Sequence, residues 1–308
     1  MDNKYEYSLI KEYNHRKNET VEIVVASMKA LLQYAKARWL IFNFPWATFV
    51  ALMISYDGAL DPTIGVLAVS SSYLILLATY TYNDAQDLEV DKVNDPNRPF
   101  ASGKVTKEHI IRLTWILNII ALVMTFFINI QAFIISSILV ILGIAYSHPK
   151  TSFKDRFPYK TIVTSIGAML ASFLGGFAND EIALDTLYAG IAFFIICTVL
   201  ALLGDISDLK GDKANNRRTL PIIIGQINTA KVMYGALSTL MALTAWLYFI
   251  NEMSIVSTVL SMIVCMLFML KLSILFKTED TKKIKSLRPP IRLLSFSFQL
   301  VLLLAIFV

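Results

Sequence analysis

The sequence predicts an all-α, polytopic membrane protein with nine transmembrane helices. Three observations support this fold class: 56% of the 308 residues are hydrophobic, only 17% are charged, and long apolar runs recur along the chain. A soluble domain carries about a quarter charged residues, so this balance is typical of a membrane protein. The two cysteines and three histidines are scattered without a disulfide or metal-binding spacing. Any metal ion is therefore expected to have oxygen ligands.

Nine apolar runs are long enough to cross a membrane, because a hydrocarbon core about 30 Å thick requires roughly 20 residues of helix. In chain order the predicted spans cover residues 38–57, 62–83, 108–128, 130–147, 160–178, 184–204, 229–250, 254–276 and 290–308. The segment before them, residues 21–37, is interrupted by Glu22, Lys29 and Lys36. We predict that this segment is an amphipathic helix on the membrane surface.

The connections between the runs alternate in charge. Lysine and arginine are absent from the connections at 57–61, 128–131, 179–185 and 251–253, and concentrated in those at 84–107, 148–160, 205–228 and 277–289. By the positive-inside rule, the N-terminus is cytoplasmic and the C-terminus external, which agrees with an odd number of spans. Orientation and lipid contact explain the net charge of +5, so no nucleic-acid partner is expected.

A short acidic sequence occurs twice. DAQDLEVDKVND, which starts at Asp84, aligns without gaps with DISDLKGDKANN, which starts at Asp205. The acids shared by the two copies are Asp84, Asp87 and Asp91 in the first and Asp205, Asp208 and Asp212 in the second. Such an internal repeat predicts one domain over residues 1–308. Its predicted parts are an arm at 1–37, two four-helix units at 38–158 and 159–276, and a ninth helix at 290–308.

The spacing of the acids predicts a metal site. Carboxylates at i, i+3 and i+7 share one face of a helix, where like charges repel one another. The cost of this repulsion rises beside a membrane. A divalent cation removes the repulsion, and carboxylate oxygens favour hard ions such as Mg²⁺, which is commonly shared with phosphate oxygens. All six shared aspartates are therefore candidate Mg²⁺ ligands.

Basic residues follow each acidic cluster and indicate a diphosphate ligand. They are Lys92, Arg98 and Lys104 after the first cluster and Lys210, Lys213, Arg217 and Arg218 after the second. The connection after the fourth span adds Tyr146 and Lys150. Metal ions and cationic side chains together neutralise a diphosphate leaving group. The sequence has no Walker-type glycine loop, so a lipid-borne diphosphate is favoured over a nucleoside triphosphate.

These motifs resemble the UbiA superfamily of intramembrane prenyltransferases. The signature N-D-x-x-D-x-x-x-D starts at Asn83, D-x-x-D-x-x-x-D starts at Asp205, and Y-x-x-x-K runs from Tyr146 to Lys150. The flanking sequences NRPFASG (97–103) and RRTLPIIIG (217–225) are also similar to that superfamily, and the resemblance covers nearly the whole chain. One departure lies in the first predicted span. Many members have R-P-x-N there, whereas this chain has RWLIFNFPW, so the motif does not support an acceptor-contacting role for Asn43.

The resemblance implies a helix bundle around a central cavity, capped by the cytoplasmic connections that carry the motifs. Both acidic clusters would bind Mg²⁺ on one prenyl diphosphate, whose allylic C–O bond ionises before a lipophilic acceptor captures the carbocation. The candidate catalytic residues are Asp84, Asp87, Asp208, Tyr146 and Lys150. The candidate diphosphate-binding residues are Asn83, Lys92, Arg98, Lys150 and Lys213.

Several interpretations have alternatives. NRP…SG and GDK…RTLP are most similar to the digeranylgeranylglyceryl phosphate synthases of ether-lipid synthesis, with aromatic prenyltransferases of quinone pathways and chlorophyll synthases as alternatives. Cation transport is the alternative from another class, although transporter sites tend to lie near the bilayer midplane. Tyr80 and Tyr82 are interpreted as interfacial anchors, with a place beside the carbocation as the alternative. Gly175 and Gly176 are interpreted as sites of close helix packing.

Overall fold

The computed structural model describes residues 17, 21–29, 31–33, 42–94, 100, 105–179, 183–214 and 217–307, without the side chains of 90–94 and 307. Every regular element in these residues is helical. In chain order the α-helices that follow residue 42 are α1 (Asn43–Ser55), α2 (Pro62–Asn94), α3 (Lys107–Phe126), α4 (Ile130–Ser147), α5 (Tyr159–Gly176), α6 (Leu184–Ser207), α7 (Leu209–Ala214), α8 (Leu220–Ile224), α9 (Gln226–Phe249), α10 (Ile255–Leu272), α11 (Thr281–Lys285) and α12 (Arg288–Leu304). Residues 21–29 and 31–33 are also helical.

Seven helical segments in the described part of the chain are long and apolar enough to cross a membrane. They are Pro62–Glu89, Lys107–Phe126, Ile130–Ser147, Leu184–Ser207, Gln226–Phe249, Ile255–Phe276 and Thr281–Leu304. Each overlaps a predicted span, so the all-helical membrane fold is confirmed. The predicted spans 38–57 and 160–178 overlap α1 and α5, which have 13 and 18 residues and are not among the seven. The count of nine spans therefore stays a prediction.

The surface of the bundle is apolar where lipid would contact it. Large side chains such as Phe127, Phe249 and Leu270 are more than 60% exposed. A soluble monomer rarely exposes apolar area on this scale. The same helices bury small and hydroxyl-bearing residues toward their neighbours, as membrane helices commonly do.

Helices α1 and α5 pack closely in the middle of the bundle. The hydroxyl of Thr48 on α1 donates to the carbonyl of Ala171 on α5 at 2.7 Å. A methyl group on Gly175 would overlap the carbonyl oxygen of Thr48, and one on Gly176 would overlap the side chain of Thr186 on α6. Both glycines therefore permit close helix packing, as predicted. Helices α2, α3 and α4 pack on one side of this pair, and α6, α9, α10 and α12 form the largest hydrophobic core.

A buried hydrogen-bonded group joins α1 to α12. The amide nitrogen of Asn43 donates to the hydroxyl of Ser295 at 3.0 Å, and the amide nitrogen of Gln299 donates to the side-chain oxygen of Asn43 at 3.0 Å. All three side chains are buried. Asn43 therefore connects two helices, and it does not line the cavity described below.

Candidate active site

A cavity of about 690 Å³ lies between α2, α4 and α5. Its lining changes in character along these helices. Apolar side chains such as Ile75, Leu139 and Ala171 line it toward the middle of the bundle, whereas charged side chains line it where α2 and α4 approach their C-termini and α5 begins. The cavity thus has a charged end and an apolar body.

Asp87 of the first acidic cluster and the preceding Asn83 line the cavity. These residues are four positions apart on α2 and so share one helix face. Lys154, in the connection between α4 and α5, donates to both carboxylate oxygens of Asp87 at 2.7 Å and to the side-chain oxygen of Asn83 at 3.2 Å. The hydroxyl of Ser147 also donates to Asn83, at 2.8 Å. Asp84 is buried at 2% exposure and does not line the cavity.

The second acidic cluster is divided among three environments. Asp205, near the C-terminus of α6, is buried and accepts a hydrogen bond from the ammonium of Lys160 on α5 at 2.6 Å. Asp212 on α7 lies 3.8 Å from the guanidinium of Arg217. Asp208 faces α11 and α12: the guanidinium of Arg288 on α12 lies 2.5 Å from its carboxylate, and the ammonium of Lys285 on α11 lies 3.7 Å away.

The division of the second cluster has a simple cause in the backbone. Helix α6 ends at Ser207, Asp208 is its C-terminal cap, and α7 begins at Leu209. The expectation that all three carboxylates share one helical face is therefore wrong for the second copy. In the first copy α2 continues to Asn94, beyond the predicted end of its span at residue 83.

The other candidate residues are found in several positions. Tyr146 lines the cavity. Lys150 is exposed outside the cavity, where its backbone carbonyl accepts a hydrogen bond from Arg156 at 3.1 Å. Lys213 is also exposed and outside it. Arg98, and the side chains of Asp91 and Lys92, lie outside the described part of the structure.

Two cations of the cavity lining, Lys154 and Lys160, were not identified from the sequence, whereas the third, Arg217, was named among the basic residues that follow the second acidic cluster. Lys154, Lys160 and Arg217 all line its charged end. Lys154 and Lys160 lie only four and ten residues after Lys150, in and just beyond the same basic connection. The Y-x-x-x-K motif identified Lys150 as the candidate in this connection. The concentration of positive charge in this connection was the signal that could have identified its neighbours.

The carboxylates suit Mg²⁺ in chemistry, although they are not gathered around one point. Within the ranges described above, no three Asp, Glu, His or Cys side chains are close enough to hold one metal ion. The donors are hard carboxylate oxygens from two regions of the chain, which Mg²⁺ prefers. Among the residues that the structure describes, one oxygen of Asp212 is buried and has no hydrogen-bond partner. A buried acceptor of that kind is costly unless a ligand contacts it, so these residues fit the metal.

A model of the UbiA prenyltransferase family matches residues 44–298 of the chain. The chain belongs to the UbiA prenyltransferase family. This match confirms the resemblance predicted from the three motifs. It also agrees with the apolar helices, and the protein is an integral membrane protein.

Among relatives, the digeranylgeranylglyceryl phosphate synthase of Sulfurisphaera tokodaii is 28% identical over 181 residues, which cover 58% of this chain and 64% of that protein. The chain thus matches slightly less than two thirds of this relative. Among solved structures, one from work on digeranylgeranylglyceryl phosphate synthase in membranes has a TM-score of 0.77 at 20% identity and covers 91% of this chain and 98% of that chain. A UbiA homolog from Archaeoglobus fulgidus, bound to GPP and Mg²⁺, has a TM-score of 0.67 at 17% identity and covers 90% and 99%. At these identities the likeness establishes a shared fold.

Proposed function

We propose that the protein is a Mg²⁺-dependent intramembrane prenyltransferase that transfers a geranylgeranyl group from its diphosphate to geranylgeranylglyceryl phosphate. The observation that carries this proposal is the two-part cavity, with carboxylates and cations at one end and an apolar body within the bundle. A prenyl diphosphate has the same two parts. Family membership supports prenyl transfer, and the names of relatives such as the S. tokodaii enzyme support the acceptor.

The cations of the cavity lining are suited to bind the diphosphate. Lys154 and Lys160 present ammonium groups, and Arg217 presents a guanidinium, at the charged end. Such groups stabilise negative charge on a departing oxyanion most effectively where water is excluded. We assign Lys154 and Lys160 to this role together with the candidates named from the sequence. Lys150 and Lys213 would reach the diphosphate only if their exposed side chains turned inward.

The acidic residues are proposed to hold the metal. Asp87 lines the charged end, and Asp205 and Asp212 pair with its cations Lys160 and Arg217. The further candidates from the repeated motif are Asp84, Asp91 and Asp208. Bound Mg²⁺ would neutralise the charge that develops on the diphosphate as the allylic C–O bond breaks. The A. fulgidus homolog, which is bound to GPP and Mg²⁺, supports the use of Mg²⁺ with a prenyl diphosphate.

The apolar body of the cavity is proposed to hold the prenyl chain and to protect the carbocation. Its apolar walls would limit access of water, which would otherwise capture the cation. The aromatic rings of Tyr80 and Tyr146 line the cavity near its charged residues, where an aromatic face can stabilise a cation. We therefore favour the catalytic alternative for Tyr80 over interfacial anchoring. Tyr82 is buried and does not line the cavity.

The topology is part of the same proposal. We infer two four-helix units and nine spans, with the N-terminus and the charged end of the cavity in the cytoplasm and the C-terminus outside. The distribution of basic residues between the connections supports this orientation. Residues 21–29 and 31–33 expose Val25, Met28 and Leu32, which supports a surface-lying amphipathic helix.

The function is tested with purified protein in nanodiscs that contain geranylgeranyl diphosphate, MgCl₂ and one acceptor at a time. We expect product with geranylgeranylglyceryl phosphate, and none when EDTA is present. Product formed only with a hydroxybenzoate or a naphthoate would replace the acceptor with an aromatic ring. Saturable cation flux into proteoliposomes, without prenyl transfer to any acceptor, would replace the enzyme with a transporter.

A further inference from the structure

Two of the carboxylates assigned to the metal, Asp87 and Asp205, form ion pairs with lysines. Lys154 contacts both oxygens of Asp87, so this carboxylate has its cation in a bidentate arrangement. Lys160 contacts one oxygen of Asp205. Both ion pairs are partly shielded from solvent, because Lys154 is 17% exposed and Asp205 is 3% exposed at the side chain. Pairs of this kind are less screened than those on an open surface.

Each lysine would compete with a Mg²⁺ ion for the carboxylate oxygen that it contacts. Mg²⁺ binds carboxylate oxygens at about 2.0–2.1 Å and requires near-ideal octahedral geometry. The ammonium groups of Lys154 and Lys160 lie 2.6–2.7 Å from the same oxygens. Two cations so close to one carboxylate repel each other, so metal binding favours movement of the lysines away from Asp87 and Asp205.

The cavity offers both lysines a destination. Lys154 and Lys160 line its charged end, and lysine carries its charge on a flexible stem with rotatable donors. If a diphosphate enters this end, it supplies the negative charge that each ammonium loses on leaving its aspartate. After the exchange, each lysine is paired with the diphosphate and each aspartate with the metal, so both still have a partner of opposite charge.

We propose that Lys154 and Lys160 act as exchangeable counter-ions, which hold Asp87 and Asp205 until metal and diphosphate bind together. This inference rests on the proposed function. It gives the two lysines opposite effects on the two ligands. They weaken the binding of a divalent metal alone and strengthen the binding of the diphosphate, so that metal and diphosphate favour each other's binding.

The test measures metal binding separately from turnover. Mn²⁺ replaces Mg²⁺ in nanodisc samples, and the free ion is counted by electron paramagnetic resonance without any prenyl diphosphate. Lys154→Met and Lys160→Met keep most of the side-chain volume and remove the charge. We expect each to bind Mn²⁺ about tenfold more tightly than wild type, because a charged hydrogen-bonding competitor has been removed. Each should bind geranylgeranyl diphosphate about tenfold more weakly at saturating Mn²⁺, because a cationic partner has been lost.

Two control variants separate charge exchange from a general effect. Lys160→Arg keeps the positive charge and should retain weak Mn²⁺ binding. Lys277→Met removes an exposed lysine in the connection after α10 and should behave as wild type. Melting curves of all the variants identify any that misfold. Because Lys154 and Lys160 contact aspartates of different acidic clusters, the two methionine variants test the proposal independently.

The outcomes distinguish this inference from the function itself. Mn²⁺ binding that is unchanged or weaker in both folded methionine variants would overturn the exchange, even if wild type transfers prenyl groups. Tighter Mn²⁺ binding without weaker diphosphate binding would also overturn it, because the lysines would then have no role at the diphosphate. Failure of wild-type protein to transfer a prenyl group to any acceptor would overturn the proposed function instead.

Discussion

Asp87 is the acidic residue whose environment most directly connects the cavity to the metal assignment. Its carboxylate lines the cavity and is bound by Lys154 through both oxygens. Asp87→Asn keeps the shape of the side chain but removes the negative charge that a metal ligand needs. We expect kcat/KM for prenyl transfer to fall about 100-fold or more, as when one electrostatic contributor is removed from an active site.

The matched control for this substitution is Glu279→Gln, which removes an exposed carboxylate from the connection after α10 and should leave kcat/KM unchanged. Steady-state rates at several MgCl₂ concentrations provide the measurement. Near wild-type turnover in Asp87→Asn would show that the first acidic cluster does not hold the metal.

The residue scale also shows what a motif can and cannot predict. The repeated aspartates marked the right part of the chain, because spacing along the sequence is visible without a fold. The contacts of Lys160 with Asp205 and of Arg288 with Asp208 join residues 45 and 80 positions apart. Such pairings depend on which helices become neighbours, and neither the spacing nor the charge of these residues indicates that.

At the scale of the helix, Gly175 determines how closely α1 and α5 approach. A methyl group at this position would overlap backbone atoms of α1, which cannot move aside as a flexible side chain would. Gly175→Ala should therefore force the two helices apart, at a typical overpacking cost of about 1–3 kcal/mol. We expect a lower melting temperature in thermal unfolding of the detergent-solubilised protein.

Gly167→Ala on the same helix is the control, because a methyl group there meets no atom within 4 Å. Gly→Ala favours the helical state most in the interior of a helix, where Gly167 lies, so a lower melting temperature in Gly175→Ala than in wild type reports the contact with α1. Equal melting temperatures for the two variants would show that the close approach does not limit stability.

Gly167 lies on the cavity wall, so a large residue there should shorten the space for the prenyl chain. It is seven residues after Lys160, about 10 Å further along the helix at 1.5 Å per residue. Gly167→Leu should lower kcat/KM for geranylgeranyl diphosphate at least about tenfold relative to geranyl diphosphate, since a pocket commonly discriminates to this extent by size.

The comparison requires both donors with one acceptor. Gly235→Leu on α9 is the control, because Gly235 is exposed and has open space around it. An unchanged ratio between the two donors in Gly167→Leu would place the prenyl chain elsewhere.

At the scale of the whole molecule, hydropathy located the bundle but not its details. Seven long apolar helices fall where they were predicted, because burial in lipid requires a continuous apolar run whatever the neighbours are. The predicted span at 38–57 contains only a 13-residue helix in its described part. Hydropathy also ended the second span at residue 83, whereas α2 continues to Asn94. A helix can continue with polar residues beyond the membrane, and a hydropathy profile shows only where its apolar part ends.

The topology of the whole chain provides the last prediction. If α1 and α5 both cross the membrane, the connections at residues 57–61 and 251–253 lie outside the cell, and the connection at 277–289 lies inside. Ala59→Cys, Glu252→Cys and Lys277→Cys each place a thiol at an exposed position in one of these connections. The native cysteines, Cys197 and Cys265, are buried, so wild type should show little labelling. In intact cells, a membrane-impermeant maleimide should label the first two variants and spare the third, which it should label only after lysis.

If α5 did not cross while the other helices did, the second half of the chain would be inverted. In that case Glu252→Cys would be spared, Lys277→Cys would be labelled, and the nine-span topology would be wrong.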